Sequence, residues 1–476
     1  MRQKCSILND KHLIFFIKSS ALSFLLPVFF YGQKIIDPIL HEPIRSAINT
    51  NYVLLNKQLD FQKTQLNTRS IKGKRLPHIF ANAAYTYFNM SGFVDLPNLM
   101  LSKITLFDGN RPLSTNGSFV SVGVTATQMI FTGLQLPNAE KALKEKEKAE
   151  KFMIEAEKEA IAREVITTFD QLMLLSQVEV LISDTEKRLE KESKRVRKAI
   201  QSGLLIPYDR DKIKLAILEL KSKKVELEGN RKLLRQRLEV LTHLTSERIE
   251  NIVYPLESIF LLEENWNTSR RKELQALGSS GEAYKFLYQK EKGGVYPKIF
   301  AFGSVNYINF FNTQLTLNGI LSKKDFSFNT KQLSLFPNFF LGIGARWNIF
   351  GGGEYHNKLG QAKIDISINE NKIKDTQEKL NLLLEKSKTD YQTALQKLEV
   401  AEQQVQVSEN NRILAIKQYQ EGITNVTERL AAENEYYTSS LGYYSQVLHQ
   451  RKAALELLYS TGSLLEKLRL SQNEIK

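Results

Sequence analysis

The chain has 476 residues, enough for two or three ordinary domains, and carries a formal net charge of +14. Its only cysteine is Cys5, so disulfides, thiol catalysis and cysteine metal sites are not expected in the rest of the chain. Lysines alternate with glutamates in stretches such as 141–148, which is typical of a solvated helix face, and nucleic-acid binding is therefore not expected.

Residues 1–32 have the composition of a secretory signal peptide. Three basic residues precede an apolar run over 13–31, and Gly32 offers a small residue for cleavage. A single membrane anchor is the alternative, but Lys18 interrupts the run and leaves each part shorter than the ~20 apolar residues of a spanning helix. Cleavage would remove four basic residues and one acidic residue and lower the net charge from +14 to +11. Cys5 precedes the run, so it cannot begin a mature lipoprotein.

Short sequence markers recur about 220 residues apart along the rest of the chain. The segments 77–81, 130–133 and 203–204 return as 297–301, 349–352 and 422–423, at offsets of 220, 219 and 219 residues. Markers that keep one offset across strand-like, turn-like and helical surroundings indicate a duplicated structural unit. We predict a first repeat over 33–250 and a second over 251–476.

Each repeat is predicted to begin with a helix, over about 44–71 in the first and 268–291 in the second. Two strands then follow in each repeat, in which apolar residues alternate with small or polar ones. The strands are predicted over about 77–89, 118–131, 297–311 and 339–350. The linking segments, about 89–118 and 312–338, are rich in Asn, Gly, Ser and Pro and are predicted to be long loops.

The alternation in these strands suits a membrane β-barrel with an aqueous interior. Val120, Val122 and Val124 would point one way, and the small residues between them the other. No segment after the leader is apolar over the length of a spanning helix, so strands are expected to cross any membrane. A soluble sandwich would show similar alternation, but aromatic residues cluster at the predicted strand ends, as in interfacial girdles. Because even the smallest single-chain barrels use about eight strands, four strands predict an obligate oligomer.

Long helices follow each pair of strands. Residues 138–202 and 354–421 contain no proline and at most one glycine, Gly360, and would extend about 95 to 100 Å. Apolar residues step by threes and fours in these segments and in the return helices predicted over about 208–246 and 424–468. We predict two antiparallel coiled-coil helical hairpins that join the four strands.

The order of elements and the turn sequences resemble the TolC-like outer-membrane efflux protein family. The resemblance covers essentially the whole chain after the leader and is most specific at 203–209, 419–424 and 430–436. It implies a mainly α fold with a membrane β-barrel, in which a homotrimer closes a twelve-stranded barrel in the outer membrane and a helical tunnel through the periplasm. It also implies contact with outer-membrane lipid, a periplasmic membrane-fusion adaptor and, through the adaptor, an inner-membrane pump for efflux or type I secretion.

The resemblance further implies a gate at the helix tips. The acidic and tyrosine positions of the family's closing contact fall on Asp209 and Tyr419. The arginine position holds Thr424, so the charge-assisted hydrogen bond would be missing. The acid of the constriction falls on Glu428, and the next acidic position holds Ala431, which implies a single ring of three carboxylates. Asp209 as a helix cap and Glu428 as a solvated surface acid are the alternatives.

The two turns between the long and return helices are the expected adaptor-docking surface. These turns contain Gly203, Leu204, Pro207, Tyr208, Gly422 and Ile423. The two glycines are also expected to form the turns themselves, since glycine accepts backbone angles that other residues avoid.

Enzyme motifs are not found in the sequence. The six histidines include no pair at the spacing of H-E-x-x-H, and no Walker A phosphate-binding sequence occurs. We therefore expect no catalysis, no cofactor and no metal site, and the energy for transport would come from a partner. An exported structural, adhesive or adaptor coiled-coil protein without a pore is the alternative function.

Overall fold

The computed structural model describes residues 36–101, 104–262, 265–320 and 324–468, so the leader predicted over 1–32 lies outside the described residues. The first half holds α1 (His41–Thr50), α2 (Tyr52–Gly73), β1 (His78–Leu101), β2 (Ile104–Phe131), α3 (Gln135–Gln201), α4 (Pro207–Thr242) and α5 (Ser246–Glu250). The second half holds α6 (Lys272–Lys292), β3 (Lys298–Ile320), β4 (Lys324–Arg346), α7 (Glu354–Gln420), α8 (Val426–Thr461) and α9 (Leu464–Lys467). Each half therefore has a strand pair followed by a long helix and a return helix.

The two long helices set the length of the molecule. α3 and α7 each have 67 residues, which corresponds to about 100 Å at 1.5 Å per residue. α2 and α4 pack along α3, α8 packs along α7, and α6 contacts both α3 and α7. The pairs α3–α4 and α7–α8 are the two helical hairpins that the apolar periodicity predicts.

The helix predicted over 44–71 is divided at Asn51. The Asn51 side-chain oxygen accepts a hydrogen bond from the Leu54 amide at 3.0 Å and thereby caps α2. The Asn51 amide donates to the Ala47 carbonyl at 3.0 Å at the end of α1. A short polar side chain that bonds to nearby backbone favours a helix cap over a helix interior, which explains the break.

The four strands form one antiparallel sheet in the order β1-β2-β3-β4. Their lengths are 24, 28, 23 and 23 residues, about twice the 9 to 11 residues that a tilted strand needs to cross a bilayer. β1 and β4 are the edges of this sheet, and each pairs with one other strand of the chain.

The long loops predicted over 89–118 and 312–338 are wrong, because the strands continue through most of these residues. Ser91 faces Ser114 in the β1–β2 pair, and Gln314 faces Asn329 in the β3–β4 pair. The ladder satisfies the backbone polar groups whatever the side chains are. Polar strands of this kind lack the apolar alternation by which a strand is recognised in sequence.

The ends of the strands also differ from the prediction. β4 ends at Arg346, and Trp347 lies just beyond it, where its indole N–H donates to the Val295 carbonyl at 3.0 Å. Tyr85 and Tyr87, expected at the end of a strand, lie within β1. These two tyrosines therefore lie partway along the strand and not at its end.

The largest core lies midway along the helices, where α1, α3, α8 and the segment after α5 meet. Arg451 of α8 donates to the two carboxylate oxygens of Asp170 of α3 at 2.8 and 2.9 Å. The Tyr254 hydroxyl donates to the same carboxylate at 2.7 Å. Asp170 and Arg451 are buried, so this network fastens the connection between the two halves to a helix of each half.

One described helix, α3, contains an 18-residue window whose length and composition would allow it to cross a membrane. The sequence analysis expected no such segment after the leader. In the fold, 56% of that window is buried inside the molecule. Packing against other helices accounts for the apolar composition of α3.

Candidate functional site at the helix tips

Gly203 forms the α3–α4 turn. Its φ of +73° lies in the left-handed region, and the Leu204 amide donates to the Ala199 carbonyl at 2.9 Å, which ends α3. Pro207 begins α4, a position at which no amide proton is needed. Leu204 is 77% exposed and Tyr208 is 60% exposed. The turn therefore presents large apolar side chains to solvent.

The α7–α8 turn has the same geometry. Gly422 has a φ of +73°, and the Ile423 amide donates to the Gln418 carbonyl at 2.8 Å. Ile423 is 74% exposed. The Asn425 side chain caps α8 by accepting a hydrogen bond from the Glu428 amide at 3.1 Å. Both turns lie at the ends of the long helices that are farthest from the sheet.

Tyr419 lies in the last turn of α7 and packs against a small apolar core at the tips. The buried members of this core come from α3, α4 and α8, and they are Val196, Ile213 and Val426. Burial raises the pKa of Tyr419, and the carboxylates of Glu192 and Asp209 add to that rise. Tyr419 therefore lies where the two helical hairpins meet.

Asp209 lies in the first turn of α4, whose capping position is Ile206. A carboxylate in the first turn lies at the positive end of the helix, where a negative charge is favoured. Its charge contributes to the raised pKa of Tyr419, although the two side chains share no hydrogen bond within the part of the chain that the structure describes. The fold thus brings the acid and the tyrosine near each other without bonding them.

Thr424 binds a residue of its own turn. Its hydroxyl donates a hydrogen bond to the carboxylate of Glu428 in the first turn of α8. The positive end of a helix favours a carboxylate at this position. Glu428 is otherwise exposed in the single chain, so the residue at the family's arginine position orients the carboxylate of the expected constriction.

A contact between the return helices also joins the two tips. Lys212 of α4 donates to the hydroxyl of Thr427 of α8 at 2.5 Å. The same ammonium group lies 4.5 Å from the centre of the Tyr208 ring, within the range of a cation–π interaction. Lys212 therefore connects the α3–α4 turn to the other hairpin, and no motif in the sequence identifies it.

A buried cluster of charges lies between α3 and α8 above the tips. Arg429 is 3% exposed, and its Nη2 atom lies 3.8 Å from Glu192 and 3.9 Å from Glu433. Arg188 completes the cluster, with its Nε atom 2.7 Å from Glu433. Within the described ranges, Arg429 Nε and Nη1 and one oxygen of Glu433 have no hydrogen-bond partner. The cluster joins the hairpins, but its charges are only partly satisfied.

The sequence analysis missed this charge cluster. Its only sign in the sequence is a pair of Arg-x-x-x-Glu spacings, Arg188 with Glu192 and Arg429 with Glu433. The same spacing is common on solvated helix faces. Among the described residues, no group of three or more His, Cys, Asp or Glu side chains is placed to hold a metal ion.

Comparison with known proteins identifies the fold. No family model matches the chain, and no curated protein matches it by sequence. The CmeC outer membrane channel of Campylobacter jejuni is 14% identical, with a TM-score of 0.69 over 96% of this chain and 94% of that one. The outer membrane protein VceC of Vibrio cholerae is 15% identical, with a TM-score of 0.68 over 89% and 96%. The open MtrE outer membrane channel of Neisseria gonorrhoeae is 15% identical, with a TM-score of 0.66 over 90% and 90%.

These likenesses extend over nearly the whole of each chain. The protein therefore has the fold of these outer-membrane channels, which confirms the TolC-like fold class that the sequence indicates.

Proposed function

We propose that this chain is an outer-membrane channel of an efflux or secretion system. It would carry substrates from a periplasmic adaptor and an inner-membrane pump to the cell exterior. The observation that best supports this proposal is the register of the sheet. The register places most of the aliphatic side chains of the four strands on one face, and most of the polar side chains, with several phenylalanines, on the other.

Cross-strand rows define the apolar face. One row consists of Ile79, Ala126, Gly303 and Leu341. The next row consists of Ala81, Val124, Val305 and Phe339. Leu341 is 92% exposed and Ile343, in a neighbouring row, is 75% exposed. A contiguous apolar face of this kind needs a covering medium, and lipid is the medium that a channel of this fold would meet.

The apolar band also has the height of a bilayer core. In β3 it runs from Ile299 to the level of Asn309, or about 33 Å along the strand, which a tilt of about 40° reduces to about 25 Å. Tyr85 and Tyr87 lie at one margin of the band in β1, and Trp347 lies at the other margin beyond β4. Aromatic side chains at both margins are typical of membrane interfaces.

A closed barrel requires additional copies of the chain. β1 and β4 are open edges of the four-stranded sheet, and unpaired edges are not tolerated in lipid. Three copies, each pairing its β1 with the β4 of a neighbour, would supply twelve strands. The parts of the strands beyond the apolar band would then project from the cell surface as an extension of the barrel.

The helical hairpins would form the periplasmic tunnel, with the two turns as the adaptor-docking surface. The turns lie at the far end of helices about 100 Å long, so they are the part of the described chain that can reach across the periplasm. Leu204 and Ile423 are exposed at these turns. Exposed apolar side chains at a helix tip favour a protein partner over water.

The tips would also hold the gate. Three contacts join the hairpins there: the apolar core at Tyr419, the bond between Lys212 and Thr427, and the charge cluster at Arg429. Opening would separate these contacts. In a trimer, the three Glu428 carboxylates would form a ring that favours cations, because clustered carboxylates focus negative potential in a narrow passage.

Membrane fractionation tests this proposal. We expect the protein in the outer membrane, where extraction yields a trimer that resists detergent until it is heated. An inner-membrane protein of the same cells and a periplasmic protein serve as fractionation controls. A soluble monomer in the periplasm would contradict the proposal and favour a structural or adaptor coiled-coil protein.

A further inference from the structure

The second face of the sheet has an ordered set of aromatic, amide and basic side chains. In each strand it consists of the residues that alternate with the apolar band, for example Ser121 and Gly123 between the valines of β2. If the apolar band faces lipid, this second face lines the lumen of the barrel. Its rows then describe the surface that a passing substrate meets.

A lower phenyl belt lies near the helices. It consists of Phe80, Phe300, Phe302 and Phe340. Phe300 faces Gly344, and a Cβ atom at that glycine would lie 2.6 Å from the ring. Phe302 faces Gly342 in the same way, at 2.7 Å. Each ring therefore covers the glycine opposite to it, and a larger residue at that position would have to displace the ring.

Two further belts follow in the direction away from the helices. The amide belt consists of Asn82, Asn306 and Asn338. The upper phenyl belt consists of Phe88, Phe119 and Phe310, whose ring centres lie 5.5, 6.1 and 6.2 Å apart. Three copies of the chain would repeat each belt around the lumen.

The helix end of this face is basic. Lys298 faces Arg346 across β3 and β4, on the same face as Phe300, and both side chains are exposed. The strand segments 78–94, 109–131, 298–320 and 326–346 contain no aspartate or glutamate. Lys298 and Arg346 therefore give this end of the face two adjacent cations, which attract anions.

We propose that the lumen of the barrel binds organic anions that have an aromatic body. The anionic group would lie at Lys298 and Arg346, the aromatic body at the lower phenyl belt, and polar substituents at the amide belt. Phenyl rings can stack on flat apolar groups of many shapes. A row of weak binding sites lets a substrate pass along the lumen without being retained. The inference rests on the proposed function, because this face is a lumen only if the barrel forms.

Block of single-channel current tests the inference. The probe is naphthalene-1-sulfonate, compared with methanesulfonate and with the cation (1-naphthylmethyl)trimethylammonium. Each probe is added on the strand side of the bilayer, so that it reaches the belts without passing the helix tips. We expect half-block by the aromatic anion at about tenfold lower concentration than by either comparison, the effect of one additional aromatic or ionic contact.

Two double variants separate the contributions. Phe300→Leu with Phe302→Leu keeps apolar volume and should remove the preference for naphthalene-1-sulfonate over methanesulfonate. Its matched control is Phe260→Leu, a partly exposed residue in the connection after α5.

Lys298→Gln with Arg346→Gln should remove the preference for the aromatic anion over the aromatic cation. Its matched control is Arg248→Gln, which changes a cation paired with Glu42 of α1, away from the sheet.

The outcomes distinguish the inference from the proposed function. If the three probes blocked a conducting channel equally, the lumen site would be wrong but the proposed function would stand. The same holds if both double variants kept the full preference for naphthalene-1-sulfonate. Higher current in the phenylalanine variant with unchanged block would also overturn the lumen site, and would identify the belt as an apolar constriction. A protein that assembles no conducting oligomer would overturn the proposed function itself.

Discussion

Arg429 provides a cation at the tips, where the sequence has Thr424 in place of the family's arginine. It lies five residues later, in α8, and its Nη2 atom is 3.8 Å from Glu192 of α3. That distance is longer than a hydrogen bond. Removing these charges from water costs free energy that their incomplete pairing does not fully offset. The cluster therefore adds little net stability, but it fixes which helices of the two hairpins meet.

Replacing Arg429 with methionine should therefore destabilise the protein. The change leaves the buried carboxylates of Glu192 and Glu433 without their central cation, at a cost of about 3 to 5 kcal/mol. Arg429→Met with Glu433→Met should recover most of that loss. Thermal unfolding of the detergent-solubilised protein measures the stability of both variants. The control is Lys187→Met, which breaks an exposed ion pair with Asp184. If Arg429→Met alone were as stable as the unaltered protein, the cluster would not join the two hairpins.

Glu159 of α3 makes stability depend on pH. Burial raises its pKa to about 7, although Arg271 nearby favours the charged form. The folded state therefore binds the Glu159 proton more tightly than the unfolded chain does. This protonation stabilises the fold fully below pH 4.5, and the stabilisation is lost as the pH rises through about 7.

Glu159→Gln should thus increase the free energy of unfolding at pH 8 by up to about 3 kcal/mol and raise the unfolding temperature. At pH 4.5 the substitution should change the stability little. Melting curves at the two pH values test this. Glu164→Gln, on a partly exposed carboxylate of the same helix, is the control. Equal shifts at both pH values would contradict the assigned cause.

The sequence could predict the positions of the two turns, but not the contacts of the residues around them. Gly203 and Gly422 stand where the periodicity of the helices stops, so the turns were predictable from the chain. The charge cluster was not, because its Arg-x-x-x-Glu spacings have the appearance of exposed helix pairs. Only the packing of α3 against α8 shows that Arg429 is buried.

Among the elements, the strands follow the predicted alternation but exceed the predicted length. The predicted cores of the strands correspond to the apolar band, where aliphatic side chains alternate with polar ones along each strand. Beyond the band, residues such as Ser91 and Ser114 face each other, and the backbone ladder continues without apolar alternation. Sequence periodicity reports burial, so it could not identify strands that lie in water on both faces.

The two faces of β2 should respond differently to a charge. Val122→Arg, on the apolar face, should cost about 2 to 4 kcal/mol near the middle of the bilayer and lower the yield of trimer. Ser121→Arg, the adjacent residue on the second face, is the matched control and should assemble better. Heat-modifiable trimer on a gel measures both yields. Equal losses would contradict the assignment of the faces.

The helix turns should be needed for adaptor docking but not for assembly. Leu204→Asp with Ile423→Asp places charge on two exposed apolar side chains, so a partner that buries them should bind at least about tenfold more weakly. Cross-linking to the adaptor and export of substrate measure the effect. The control is Leu262→Asp, which is 82% exposed midway along the molecule. Normal export by the double variant would place docking elsewhere.

At the scale of the whole molecule, the open edges of the sheet and the length of the helices lead to one assembly. Each chain leaves the outer edges of β1 and β4 unpaired, and each leaves an apolar face uncovered. The proposed trimer in a membrane would satisfy both requirements, and its helices would then extend about 100 Å from the bilayer. The duplicated sequence made the fold of the single chain predictable, because each repeat supplies one strand pair and one helical hairpin.

Electrical recording on the purified oligomer in a planar lipid bilayer tests the channel most directly. We predict discrete current steps of uniform size, held low by the closed tips. Tyr419→Ala and Lys212→Ala should enlarge the steps, because they remove the apolar packing and the hydrogen bond to Thr427 that join the two hairpins at the closed tips. Thr50→Ala, far from the tips in α1, should leave them unchanged. An assembled oligomer that inserts into the bilayer and carries no current, with or without the tip substitutions, would contradict the proposed channel.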